Sequence, residues 1–228
     1  MRFVCPLLAV MFLAGAMLSI PGLASAGPTE PLSSLKAGNT VSFAGYTWIV
    51  LDNGATDHSS YLLMQDALKD SSGNYVNMAF DTSPVPSFDN SGSIAGYLNS
   101  TFLNSLPQAD QSLIQIHAWS TGAIGMGVTD NGASSVVQDR IGLISYADLS
   151  TTYSKYISDL PNANGWWTLS PLAGSPGGVW FVGPGLALDY VDANDTFAGI
   201  PFAIRPALYL SSATMVSGGN GGTVTGQS

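Results

Sequence analysis

Oxygen-bearing and aromatic side chains crowd together once in this sequence, in its last third, where Trp180, Asp189, Tyr190, Asp192, Asn194 and Asp195 lie close in order. Carboxylates and an amide at that density suit an oxygen-ligated cation, and calcium takes about six to eight such oxygens. Asp189, Asp192 and Asp195 are the calcium candidates, although the loop glycine and terminal glutamate of an EF-hand are absent. A solvated acidic loop accounts for the same residues without an ion. Aromatic faces beside hydrogen-bonding oxygens also suit a sugar or a peptide. Trp180, Tyr190, Asp192, Asn194 and Asp195 are therefore the predicted ligand-binding set, displayed on a segment from Gly174 to Pro201. Trp180 stands between Gly177-Gly178 and Gly183-Pro184, which predicts a place beside exposed loops.

Elsewhere the chemistry thins out. His58 and His117 are the only histidines and stand in no metal-ligand spacing. Each reads as a surface or satisfied core residue. No Gly-x-Ser-x-Gly elbow occurs, and Gly122, Gly125 and Gly127 match no phosphate loop. Two convergent aspartates would make a glycosidase, but the order of residues assigns no such pair. The catalytic set is empty.

These residues must be held by a frame, and periodicity supplies one. Asn39 to Asp52 reads as a hairpin broken near Ala44-Gly45, and Tyr61 to Met64 as the next strand. Asp70 to Asp89, with its Pro, Ser and Asn, reads as a surface excursion. Ser93 is placed to cap a helix in which Ile94, Leu98, Phe102 and Leu106 recur every four residues, ended by Pro107. Gln108 to Ile114 offers a second short helix. Ile116 to Trp119 and Asp139 to Ser145 read as strands, and Tyr146 to Leu160 as an irregular helix. Two bulky motifs follow, Gly165 to Pro171 with its paired Trp166 and Trp167, and Ile204 to Leu210. Adjacent tryptophans in a strand point to opposite faces. Arg205 sits inside an apolar run, where it needs a carboxylate or backbone carbonyls to offset desolvation; an aspartate partner is expected. Val179 to Val182, Leu186 to Val191 and Phe202 to Leu210 read as the closing strands. The predicted class is α+β: one domain, mainly antiparallel twisted sheet with two or three short helices.

The N-terminus carries a secretory pattern: Arg2, an apolar run from Leu7 to Ile20, Pro21-Gly22, then Ala24-Ser25-Ala26 as a cleavage site. The run is shorter than the ~20 residues a spanning helix needs. The expected organisation is a signal peptide over 1–26, a leader over 27–36, a globular domain over 37–211 and a flexible Gly/Ser/Thr tail over 212–228. The only cysteine, Cys5, lies in the signal, so the mature chain uses no disulfide and no thiolate. The formal charge of the whole chain is −9, with 6 Lys and Arg against 15 Asp and Glu. No basic patch offers itself to nucleic acid or anionic membrane.

Gly45 to Asp52, Tyr61 to Met64, Tyr97-Leu98-Asn99 with Phe102, Asp139 to Ser145, Trp166 to Pro171 and Arg205 to Leu208 stand in an order that resembles the bacterial secreted family catalogued as domain of unknown function 6273. The resemblance runs from about Leu35 to Leu210. It implies a C-type-lectin-like fold, in which the last third of the chain displays a variable binding surface. Leu169 departs from the family pattern, where an arginine precedes the Ser-Pro. The implied role is a secreted or cell-surface binding module for a glycan or protein, with calcium as the one candidate cofactor. A structural surface or filament protein is the second class and a secreted hydrolase the third.

A first prediction concerns thiol chemistry. The thermal midpoint of the protein as its own processing leaves it should be the same with and without reductant; a midpoint that moves means that Cys5 is retained and the processing site is misassigned.

Overall fold

The computed structural model describes residues 27–83, 85–89, 91–126, 135–157, 160–161, 165–192 and 202–227, with Leu186, Asp192 and Gln227 described for their backbone alone. Its strands are β1 (Thr29–Pro31), β2 (Thr40–Phe43), β3 (Tyr46–Asp52), β4 (Ser59–Met64), β5 (Asn77–Met78), β6 (His117–Ser120), β7 (Val136–Asp139), β8 (Ile141–Leu143), β9 (Trp166–Pro171), β10 (Gly178–Val182), β11 (Leu188–Asp192), β12 (Phe202–Ala203), β13 (Pro206–Ser211), β14 (Thr214–Ser217) and β15 (Gly222–Gln227). One sheet has the order β1-β14-β15-β2-β3-β4-β13-β8, a second β11-β10-β9-β12-β5, and β6 pairs with β7 alone. Most neighbours are antiparallel; β15 runs parallel to β2 and β12 parallel to β9. The α+β class with few short helices is therefore observed.

Local chemistry explains the first hairpin. Ala44 and Gly45 both have positive φ, 51° and 84°, the two-residue turn whose twist matches antiparallel strands. In β3, Trp48, Ile49, Val50 and Leu51 are all buried, as are consecutive residues of β4, β9 and β10. Strands covered on both faces lose the strict alternation of a half-exposed sheet.

The predicted helix runs from Ile94 to Ser105, α-wound over Ile94–Gly96, π-wound over Tyr97–Phe102 and α-wound again over Leu103–Ser105. Ser93 caps it, its hydroxyl accepting from the Ala95 N–H at 3.2 Å. An α-helix turns about 100° per residue, so a strict four-residue stripe drifts by about 40° per step. The wider π turns counter that drift, and Ile94, Leu98, Phe102 and Leu106 are all buried. Asn99 then reaches across to the edge strand β8. Its amide donates to Ile141 O (2.8 Å) and accepts from Arg140 N and Ile141 N (3.2 and 2.9 Å).

Several expectations need correction. The leader and tail are part of the large sheet: β1 pairs with β14, β14 with β15, and β15 with β2. Leu32, Leu35, Thr214 and Val216 are buried. Glycines at positive φ (Gly218, Gly219 and Gly221) turn the β14–β15 hairpin, so a turn composition imitated a linker composition. The excursion after Asp70 buries Phe80 and Phe88, and Asp81 ties that loop by accepting from Thr82, Ser83 and Ser87 N–H groups.

The segment from Phe202 to Leu210 is two strands in two sheets, β12 and β13, with Arg205 at the break. Arg205 is fully buried, and among the described residues its partners are carbonyls and not an aspartate. Nη1 donates to Met64 O at 3.1 Å and to Gln65 O, and Nη2 to Pro161 O. Its guanidinium carbon lies 4.9 Å from the centre of the Trp166 ring. Burial pulls its pKa down to about 10, still high enough to keep the charge at neutral pH. Trp167 faces the other way, edge-on to Phe80, Phe181 and Phe202, so the tryptophan pair anchors both faces of β9.

Arg205→Met strands one buried and two part-buried carbonyls and empties the site of a buried cation, at a cost on the order of 3 kcal/mol. Arg205→Lys keeps the charge but not the fork and should recover only part of that loss. Chemical denaturation of both variants checks this; wild-type stability for Arg205→Met would remove the clamp assignment.

Candidate functional site

Tyr61 of β4 and Tyr209 of β13 are directly opposed across an antiparallel pair. Their rings stack at 4.5 Å with planes 5° apart. The chain before β6 docks on the same strand, with Gln115 N–H donating to Tyr209 O at 2.9 Å. Two residues further on, His117 falls over the other face of Tyr209, centroids 3.6 Å apart and planes at 15°. Trp119, on the same side of β6 as His117, stands edge-on to Tyr61, His117 and Tyr209 at 6.2, 5.4 and 5.5 Å. Its indole lies on Gly142 of β8, where any Cβ would come within 2.5 Å of the ring. Its N–H donates to Asp139 O at 3.0 Å.

The opposite wall comes from the turn after β8. Ser145 Oγ accepts from the Asp148 N–H at 3.0 Å and starts the π-wound stretch Asp148–Thr152. Tyr61, His117, Trp119, Ser145, Asp148 and Tyr209 line a cleft of about 170 Å3. Tyr153 stands just behind, edge-on to Tyr61 at 5.7 Å.

Electrostatics single this cleft out. Burial pushes the Asp148 carboxyl up; hydrogen bonds from the Ser145 hydroxyl and N–H oppose it and are outweighed. Tyr61 and Tyr209 are raised by burial first and then by Asp148. Tyr153 is pushed up to about 12 by burial, then by Asp148, Asp52 and Asp57. Burial lowers His117, leaving it neutral at neutral pH. Among the described residues, the one ion pair is Lys69 with Asp66, elsewhere on the molecule.

The sequence-predicted residues fall in another place. Trp180 is buried, at 3% exposure, and does not face solvent loops. Its indole N–H donates to Ile124 O at 2.9 Å, and Tyr146 covers its face at 4.0 Å. Cross-strand from it, Tyr190 is 41% exposed and edge-on to Trp180 at 5.6 Å. Asp189 is exposed, and its carboxylate accepts the Tyr190 N–H at 2.8 Å. Asp192 ends β11; Asn194 and Asp195 lie outside the described residues. Among the described residues no three His, Cys, Asp or Glu side chains are grouped to hold a metal ion. His58 is exposed at a positive φ of 66°.

A surface groove of about 550 Å3 is lined by residues such as Val85, Pro86, Pro171, Leu172 and Pro176, with no titratable group among the described residues that line it. Tyr61, Ser145, Asp148, Tyr153 and Tyr209 were not legible as a site. Three of them lie in or beside strands recognisable as such, but only strand pairing brings them together. The chain matches no family profile, no curated protein and no solved structure.

Asp148 also predicts a pH effect. Its folded pKa lies above the ordinary 3.8, so the folded state binds its proton more tightly than the unfolded state does. That contribution favours folding at low pH and is lost as pH rises through the raised value. Asp148→Asn should therefore be more stable than wild type at pH 7, and the difference should shrink towards pH 3. Urea titrations across that range check it; a variant less stable at pH 7 contradicts the assignment.

Proposed function

We propose that this chain is a secreted or cell-surface binding module that receives a protruding group of a glycan or protein ligand in the cleft between Tyr209 and Asp148. The observation that carries this reading is the convergence of a three-ring stack and a poorly solvated carboxylate on one solvent-connected recess. His117, Tyr153 and Tyr209 are only partly buried, which leaves the recess open at its rim. Rigid strands hold four of its aromatic rings, the condition for a preorganised site.

Its size limits the ligand. Drug-sized ligands occupy pockets of roughly 300–1,000 Å3, so about 170 Å3 admits one end group and not a whole oligosaccharide or nucleotide. A hydrolase reading lacks its first requirement: no hydroxyl among the described residues donates to His117, and Asp148 has no second carboxylate lining the same cleft. The C-type-lectin-like frame belongs to this proposal as well, supported by the order of motifs from Gly45 to Leu208. The exposed pair Asp189 and Tyr190 is the alternative surface for such a ligand, favoured by the exposure of an aromatic ring beside a carboxylate. Calcium there is a further proposal resting on Asp189, Asp192 and Asp195.

The test is an array of glycans and peptides, followed by variants against any ligand found. Binding should be lost in His117→Ala and Asp148→Asn and kept in the double variant Asp189→Ala with Tyr190→Ala. The reverse pattern moves the site to β11.

A further inference from the structure

The cleft's chemistry specifies its ligand more narrowly than its shape does, on the reading that it is the binding site. Its lining offers one carboxylate, from Asp148, and hydroxyl oxygens from Tyr61, Tyr209 and Ser145. Asp52 and Asp57 add negative charge from the end of β3 and the loop after it, close enough to raise Tyr153 and Tyr209. No Lys or Arg nitrogen among the described residues lies within 4.0 Å of Asp148. Lys155, the nearest cation in sequence, turns its ammonium over the Tyr156 ring at 4.7 Å. Asp148 is thus a carboxylate set in a half-dry wall without a counter-charge, an arrangement that is costly unless something supplies one.

A divalent metal is a poor occupant, since calcium wants six or more oxygens and usually several carboxylates. Both faces of Tyr209 are spent, one on Tyr61 and one on His117, whereas a quaternary ammonium cage needs several free ring faces. A primary ammonium has three donors and no acceptor, and it matches one carboxylate plus two hydroxyl oxygens. We propose that the cleft takes the primary ammonium end of an unbranched alkyl chain, as a lysine side chain of a partner or a free alkylamine presents it, with Asp148 as the counter-charge.

The groups facing Asp148 are Tyr61 on β4, Tyr209 on β13, His117 on β6 and Tyr153 on the following helical turn. Of these only His117 shares the acid range, and its protonation acts in the same direction as that of Asp148. Affinity should rise as pH is raised through the titration of Asp148 and level off above it, while the ammonium itself stays protonated.

The full chain is titrated with n-butylammonium, 1-butanol and butyrate, following the His117 and Trp119 side-chain resonances. Butylammonium should shift both saturably, butanol and butyrate should not, and Asp148→Asn should weaken butylammonium at least tenfold. Nα-acetyl-lysinamide binding as well as butylammonium assigns the group to a peptide side chain; its failure assigns it to a free amine. Butanol binding as tightly as butylammonium, or a glycoside shifting these resonances where butylammonium does not, overturns the ammonium assignment and leaves the cleft as the site. Silence of both resonances to every probe and to every ligand of the array overturns both. If Asp148→Asn fails to fold, a wild-type butylammonium affinity that is flat from pH 4 to pH 7 serves as the contrary result.

Discussion

One buried guanidinium joins the two sheets. The chain leaves β12 in the smaller sheet and enters β13 in the larger one across Ile204 and Arg205. At such a crossing, backbone groups lose their ladder partners, and buried groups without partners are expensive. Arg205 answers for three of them, two carbonyls at the end of β4 and one at Pro161. Its guanidinium carbon also lies over the Trp166 ring, and a Lys could offer neither the fork nor the flat face. Leu68 N–H on Ile204 O and Ile204 N–H on Val76 O add two backbone bonds at the crossing.

The aromatic cleft follows from that junction. Arg205 fixes where β13 begins, and the pleat then decides that Tyr209 faces the same side as Tyr61 in the register of β4. A slip of one residue would send Tyr209 to the opposite face and dismantle the stack with His117. On the far edge, Asn99 plays a related part for β8 by occupying its free backbone groups, so that Gly142 stays where Trp119 can lie on it. Two polar side chains on backbone thus position a group of rings that touch neither of them.

Much of the frame was legible in order and composition. The Ser93 cap, the four-residue stripe from Ile94 and the turn at Ala44-Gly45 are local signals, and local signals survive folding well. The strands β4, β8, β9 and β10 were visible as apolar runs. What escaped had non-local causes. The single run from Phe202 to Leu210 gave no hint that it serves two sheets, because Arg205 satisfies carbonyls supplied from far away in sequence. The end of the chain, rich in Gly, Ser and Thr, read as a tail although Thr214 and Val216 are buried. The exposure expected of Trp180 failed for a related reason. Glycines around Trp180 suggested exposure, whereas Tyr146 and Ile124 cover it, and the residues that do converge stand at positions separated by whole strands.

The parallel pairing of β15 with β2, Gly222 opposite Val41 and Thr223 opposite Ser42, has a consequence for how the molecule is made. A chain synthesised or threaded through a pore from its N-terminus presents the β2 edge long before the strand that covers it exists. Until β15 emerges, that edge is an open template for neighbouring chains, and closing it joins residues as far apart in sequence as Val41 and Gly222. A chain made in that order therefore carries this open edge until β15 is available, and the β14–β15 hairpin is the latch that covers it.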